Sequence, residues 1–278
     1  MTRVAVIVFP GTNCMYETRD AVVAAGAQAT FLNWKATRGD CSEFDAFVLP
    51  GGFSYEDRVR AGVIAAKYAV VEGIANAAAQ GKPVLGICNG AQVLVEAGLV
   101  PGLQPGNVEV ALGRNADPQW TGYYCDWVHI QAQTPRGILK EVAEQGLVLA
   151  MPVGHGEGRF VGDEDLFETL RHQGQVALQY VDAHGSPAQG FPDNPNASLA
   201  NAAALSDPSG RVLAMMPHPE RASWLYQVPE SLPGTWGDQR RAVRDFSKLS
   251  SKGPGQVLYD CFVKVAASST SGSMVRNP

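Results

Sequence analysis

A thiol, an imidazole and a carboxylate stand in this sequence at spacings that suit acyl transfer. Cys88 lies in Gly86-Ile87-Cys88-Asn89-Gly90. The apolar run Pro83 to Ile87 reads as a buried strand, and residues from Asn89 onward carry apolar side chains at helical spacing, so the chain turns from strand into helix at the cysteine. Small residues on both flanks allow the sharp turn that lifts a central nucleophile clear of a sheet. A thiol at that corner also meets the unpaired amides of a helix N-terminus, which favour thiolate. The same five residues suit a structural cysteine packed as a small hydrophobe between two glycines.

A cysteine nucleophile needs a base, and the base needs a group that fixes its tautomer. Pro217-His218-Pro219-Glu220 offers both. The prolines favour extended backbone and predict no helix across these four residues, and in an extended chain positions two apart share a side. His218 and Glu220 are then neighbours, either as base and orienting carboxylate or as an ordinary ion pair on a surface turn. The remaining requirement is a pair of amides aimed at the carbonyl oxygen as it gains charge. Gly52, in Pro50-Gly51-Gly52, and Asn89, directly after the thiol, are the candidates for this oxyanion hole. The alternative for Pro-Gly-Gly is a plain turn.

Other chemistries fit less well. Gly81-Lys82 is followed by Pro83, which breaks the phosphate-loop pattern, and Gly154 to Gly158 does not match the dinucleotide fingerprint. His155-x-Glu157 and His218-x-Glu220 match the first half of a zinc deaminase signature, but no Pro-Cys-x-x-Cys follows either, so no metal site is expected. A net charge of -5 without a basic stripe argues against nucleic acid and anionic membrane as partners. The N-terminal apolar run is too short for a signal sequence and ends at Pro10-Gly11, and no stretch approaches the length of a membrane span. Five dispersed cysteines, at 14, 41, 88, 125 and 261, show no paired spacing, so a cytoplasmic location with reduced thiols is expected.

The elements that must position these groups alternate. Strands are expected at Val4 to Phe9, Ala29 to Leu32, Phe44 to Leu49 and Pro83 to Ile87, with helices from Tyr16 to near Gly26 and from Ala61 to Gln80 between them. This α/β order predicts a doubly wound, mostly parallel sheet flanked by helices. Such sheets bind ligands at the carboxyl ends of their strands, so the loops Pro10 to Cys14 and Pro50 to Tyr55 should face the Cys88 corner. Short runs at Val108 to Leu112, Trp127 to Ile130, Leu147 to Val153, Val176 to Val181 and Val212 to Met216 predict further strands that extend the sheet and add a mixed β layer. One domain is expected over 1–267. Residues 225–254, rich in proline, glycine and charge, have no assigned structure, Gln256 to Ala267 has helical spacing, and 268–278 reads as a disordered polar tail.

Three segments together resemble the class I glutamine amidotransferases: Pro50-Gly51-Gly52-Phe53-Ser54-Tyr55, Gly86-Ile87-Cys88-Asn89-Gly90-Ala91-Gln92, and Met215-Met216-Pro217-His218-Pro219-Glu220-Arg221-Ala222. Val8-Phe9-Pro10-Gly11-Thr12-Asn13-Cys14 and His155-Gly156-Glu157-Gly158 narrow the resemblance to the glutaminase subunits of phosphoribosylformylglycinamidine synthase, in purine biosynthesis. It implies that Cys88 attacks the side-chain amide of L-glutamine to form a thioester, that His218 oriented by Glu220 moves the protons, and that the Gly52 and Asn89 amides hold the oxyanion. Gln92 would help seat the glutamine, with Gly51, Phe53 and His155 as further substrate-binding candidates. It also implies no cofactor on this chain. Ammonia would pass to a synthetase subunit, which uses ATP and magnesium to convert formylglycinamide ribonucleotide to its amidine, with a small subunit bridging the two.

The chain departs from the expected pattern at Ala91, where phenylalanine is usual, at Glu56, where Tyr-Gly-Asp is usual, and in a longer region beyond Trp224 that would form an altered partner-docking surface. The alternatives are a cysteine-dependent hydrolase or stress and redox protein of the related intracellular-protease-like group, and a regulatory subunit without catalysis.

Overall fold

The computed structural model describes residues 1–117 and 120–273. It opens with β1 (Arg3–Val8), α1 (Met15–Ala24), β2 (Gln28–Asn33), β3 (Ala46–Leu49), α2 (Ala69–Ala79), β4 (Val84–Ile87) and α3 (Asn89–Glu96). After a turn-rich stretch come β5 (Ala111–Gly113), β6 (Ala116–Asp117), β7 (Trp120–Thr121), β8 (Tyr124–Ala132), α4 (Lys140–Glu144), β9 (Val148–His155), β10 (Arg159–Val161) and α5 (Glu164–His172). The chain finishes with β11 (Val176–Val181), β12 (Ala202–Ser206), β13 (Val212–Met215), α6 (Thr235–Ala242) and α7 (Pro254–Ser273).

Nine strands form one sheet in the order β2-β1-β3-β4-β13-β12-β11-β8-β9. The pairs from β2 to β13 are parallel. Those from β13 to β9 are antiparallel. The expected α/β architecture is therefore present, with its β extension continuing the same sheet and two short ribbons, β5 with β10 and β6 with β7, set beside it. The strand interiors explain the division. Ala46 to Leu49 of β3 and Val84 to Ile87 of β4 are buried at every position. Such runs need cover on both faces, which crossover helices supply. β8 begins with exposed residues and becomes buried further along, as antiparallel strands at a sheet margin do.

Three expectations about local structure are corrected. The helix read from Ala61 to Gln80 starts only at Ala69: Gly62 is left-handed at φ +80, where a Cβ would lie 2.7 Å from the Gln92 and Val93 backbone, Ala65–Lys67 forms a separate 3-10 turn, and Tyr68 is extended at ψ 150°. The last helix continues to Ser273, into the stretch read as a disordered tail, while 274–278 lie outside the described residues. Residues 225–254 fold onto the chain's own sheet: Leu225, Val228 and Leu232 form a small core with Ala150 of β9, and the Trp236 Nε1–H of α6 donates to the Val148 carbonyl at 3.0 Å.

Candidate active site

The corner at Cys88 is strained as the sequence pattern requires. Its φ of 51° and ψ of -107° lie outside the regions ordinary residues occupy, a cost of about 1–3 kcal/mol that persists where surroundings impose it. The flanking glycines are demanded by close packing of α3 on the sheet. A Cβ on Gly90 would stand 1.9 Å from the Leu49 carbonyl oxygen, and one on Gly86 would stand 2.6 Å from Leu94 Cδ1. The Cys88 N–H donates to the Met215 carbonyl at 2.8 Å, which fastens the corner to β13, and its sulfur rests 3.8 Å from the Gly154 carbonyl at the end of β9.

His218 arrives from the end of β13, the strand beside β4. Its own backbone is extended, with φ -102° and ψ 94°, but Pro219 opens a short 3-10 turn through Arg221, so the expectation of extended chain to Glu220 is corrected. Proline lacks only an N–H that the first turn of a helix leaves unpaired, and its fixed φ suits that position. The pairing survives: His218 Nδ1 and Glu220 Oε1 are 2.6 Å apart, both side chains being buried. Burial opposes charge on this imidazole, but the Glu220 carboxylate and the Cys88 and Cys14 sulfurs outweigh it and hold the ring well above its ordinary 6.5. With Nδ1 committed to Glu220, Nε2 is the nitrogen left to act as base, and it has no hydrogen-bond partner among the described residues.

A second sulfur stands on the opposite side of that ring. Cys14 Sγ is 3.9 Å from His218 Nδ1, and the Arg221 guanidinium donates to it at 3.0 Å. Donor atoms of Cys14, His218 and Glu220 lie within 4.8 Å of one another, as metal ligands could. The 2.6 Å contact to the Glu220 carboxylate, however, gives Nδ1 the proton, and a protonated nitrogen is not a ligand. For the same reason Cys14 faces the wrong nitrogen to be deprotonated by this base.

The two expected amides reach the site by different routes. Thr12 and Gly52 pair across an antiparallel bridge flanked by Phe53 N–H to Gly11 O at 2.9 Å and Asn13 N–H to Gly51 O at 3.2 Å. Gly52 is thus in a pair that exchanges no hydrogen bonds, and its N–H points away from that partner. Asn89 opens α3, where backbone N–H groups have no intrahelical acceptor. Its side chain ties the two loops together, Oδ1 accepting from the Ser54 N–H at 3.1 Å.

The remaining candidates scatter around this centre. Gln92 spends both ends of its amide within the chain: Oε1 accepts from Asn89 Nδ2 at 2.9 Å, and Nε2 donates to the Glu157 carbonyl at 2.7 Å. It is a strut between the corner and the loop after β9. Gly51 lies against the His218 ring, and Phe53 stands at the rim, about half exposed. His155 is buried, and burial, with the neighbouring His218, holds its imidazole down at about 3. Glu56 has φ 57°, the left-handed region that glycine enters without penalty, which gives the usual Tyr-Gly-Asp spelling a steric reason.

Sequence reasoning missed Asn115, a buried amide that organises His155 and Gly158, and Asp57, whose carboxyl is pushed up to about 6 by burial and by Glu157. Asn115 sits in a turn-rich segment whose residue pattern carries no signal. Asp57 is tied to the corner through the Asn89 side chain, whose Nδ2 donates to it at 3.2 Å.

Comparison with known proteins agrees with this geometry. Residues 1–250 match the family described as a CobB/CobQ-like glutamine amidotransferase domain. A curated relative from Methanothrix thermoacetophila, phosphoribosylformylglycinamidine synthase subunit PurQ, is 39% identical over 264 residues, covering 93% of this chain and 95% of its own. The subunit of the same name from Pyrococcus furiosus is 41% identical over 226 residues, covering 81% and 92%. Among solved structures, PurLQS from Thermotoga maritima superposes with a TM-score of 0.67 at 28% identity, over 95% of this chain and 98% of the other. The glutaminase domain of Trypanosoma brucei CTPS, at 15% identity and a TM-score of 0.57 over 96% and 94%, shares the fold.

Proposed function

The chain belongs to the CobB/CobQ-like glutamine amidotransferase family, and on that premise we propose that it is the glutamine-hydrolysing subunit of phosphoribosylformylglycinamidine synthase, with Cys88, His218 and Glu220 as its catalytic triad. The observation that carries the assignment is the division of the His218 ring: Nδ1 is held 2.6 Å from Glu220, while Nε2, buried and unpartnered among the described residues, is left for the strained Cys88 corner.

The chemistry follows from that division. His218 Nε2 takes the Cys88 proton, and the sulfur attacks the carboxamide carbon of glutamine. The carbonyl oxygen gains charge where the Gly52 and Asn89 amides supply fixed dipoles, which cost no reorganisation as the reaction proceeds. The imidazolium returns its proton to the amide nitrogen, the C–N bond breaks, and ammonia leaves a thioester. Water then gives a proton to Nε2 as its oxygen attacks the thioester carbon, and glutamate departs as the proton returns to sulfur. Glu220 stabilises the imidazolium in both halves. Gln92 acts through position, holding the Glu157 loop to the corner.

In this reading the chain carries no cofactor. ATP and magnesium belong to a synthetase subunit that receives the ammonia, a small subunit bridges the two, and the complex is cytoplasmic. The subunit names of the curated relatives and the PurLQS structure support a partnered enzyme. No helix among the described residues is long and apolar enough to cross a membrane. The test mixes the chain with a synthetase, the small subunit, ATP and formylglycinamide ribonucleotide, and compares glutamine with ammonium as nitrogen source. Cys88→Ser should lose the glutamine route and keep the ammonium route; loss of both, or of neither, overturns the assignment.

A further inference from the structure

We infer that His155 is a contact for the nitrogen that leaves: its Nε2 accepts a hydrogen bond from the N–H of the glutamine carboxamide, so the site selects amides over esters. The inference rests on the glutaminase reading above and adds a group that the triad mechanism does not use.

The tautomer is fixed by Asn115. The Asn115 Nδ2 donates to the Gly122 carbonyl at 2.8 Å and to the His155 carbonyl at 2.7 Å, which identifies Oδ1 as the acceptor end. That oxygen receives the Gly158 N–H at 3.1 Å and lies 3.1 Å from His155 Nδ1. Nδ1 therefore carries the proton, and Nε2, across the ring, holds a bare lone pair. Gly158 is needed for the arrangement, since a Cβ there would stand 2.3 Å from the ring.

Nε2 is buried and has no hydrogen-bond partner among the described residues, although His155 is only 3% exposed. A buried acceptor left unsatisfied is costly unless something arrives to satisfy it. His155 ends β9 at the site: Pro152 accepts the His218 N–H at 2.8 Å, and the Gly154 carbonyl is 3.8 Å from the Cys88 sulfur. On the glutaminase reading the carboxamide is the end of glutamine that Cys88 attacks, so it is the part that meets the close of β9. The carboxamide nitrogen carries two N–H donors. The corresponding oxygen of a γ-ester carries none, and would bring its lone pairs against that of Nε2.

The depressed proton affinity of His155 fits this role, because the ring stays neutral beside the cationic His218. Neutral, it accepts from the leaving nitrogen without competing to protonate it.

The test uses the chain in complex with its synthetase and compares L-glutamine with L-glutamate γ-methyl ester, which attack by the same thiol would convert to glutamate and methanol. His155→Phe keeps a planar ring and removes the acceptor. It should lower kcat/KM for glutamine at least tenfold and leave the ester rate within twofold or raise it. Asn115→Asp preserves shape and places a carboxylate on Nδ1–H, drawing a second proton to Nε2. Glutamine hydrolysis should then acquire an acid limb near neutral pH that the wild type lacks, recovering as pH rises. Equal losses on amide and ester in His155→Phe, or an Asn115→Asp profile that overlays the wild type, overturns the inference. Cys88→Ser separates the two claims: if it still hydrolyses glutamine, the glutaminase reading fails, whereas a dead Cys88→Ser beside an unselective His155→Phe removes the acceptor role alone.

Discussion

Gly51 makes room for His218: a Cβ built on the glycine would lie 2.6 Å from the imidazole Cε1 and 3.3 Å from Nδ1. The position expected to contact substrate also abuts the imidazole of the proposed triad. Gly51→Ala should push the imidazole away from the Cys88 corner. A shift of about 1 Å at a reacting group costs roughly a hundredfold in rate. The expected result is glutamine hydrolysis down about a hundredfold, with the melting temperature lowered by only a few degrees, checked by steady-state kinetics and calorimetry on one preparation.

The two buried sulfurs near His218 are expected to differ in reactivity. A glutamine analogue bearing an alkylating group should modify Cys88 and spare Cys14, because Cys14 lies on the Nδ1 side of the imidazole, whose proton is held by Glu220, and cannot be deprotonated from there. Peptide mass spectrometry reads this directly. Preferential labelling of Cys14 would reverse the assignment of nucleophile.

Strain at the corner is open to a clean comparison. Cys88→Gly and Cys88→Ala both delete the sulfur and differ only in the Cβ that must endure φ 51° and ψ -107°. The glycine variant should be the more stable by about 1 kcal/mol, the strain it escapes less the extra entropy it loses on folding. Urea unfolding of the two inactive proteins gives the difference.

Glu56→Gly is expected to stabilise the chain for a related reason. Glu56 is left-handed at φ 57° and exposed, so glycine relieves about 1–2 kcal/mol of conformational cost and gives back about 0.5–1 in chain entropy. The Arg58 pair that the substitution removes is on the surface and contributes little. A rise in the urea midpoint at unchanged slope confirms this.

The two buried histidines should pull stability in opposite directions as pH changes. His155 has a folded value of about 3 against an ordinary 6.5. As pH falls below 6.5 the unfolded chain binds a proton that the folded chain refuses, and stability is lost at about 1.4 kcal/mol per pH unit until the folded value is reached. His218 is raised, so its contribution is fully present below 6.5 and fades as pH climbs through its folded value. His155→Gln should flatten the acid side of the stability profile relative to wild type, and Glu220→Gln the alkaline side, both by denaturant titration across pH.

Much of the site was legible because local sequence enforces it. Gly86 and Gly90 flank the thiol since α3 packs with no room for a Cβ, and Pro219 seats Glu220 beside His218 through the short turn it starts. What stayed hidden depends on contacts across long sequence separations. Gln92 looked free to touch substrate until Glu157, 65 residues away, took its amide. Asn115 gains its meaning only from the return of β9 forty residues later, and no spacing in the sequence announces that meeting. The start of the helix read from Ala61 was misjudged for the same reason, since Gly62 is pressed against α3.

The place of β13 between β4 and β12 has a consequence for synthesis on the ribosome. A growing polypeptide that has emerged only through α3 holds the thiol, but the neighbouring strand β13 and the His218 that follows it have not yet been made. Partial products of translation, and fragments cut before residue 212, therefore lack two of the three groups of the proposed triad. Competence is conferred late, in one step, by the insertion of a central strand.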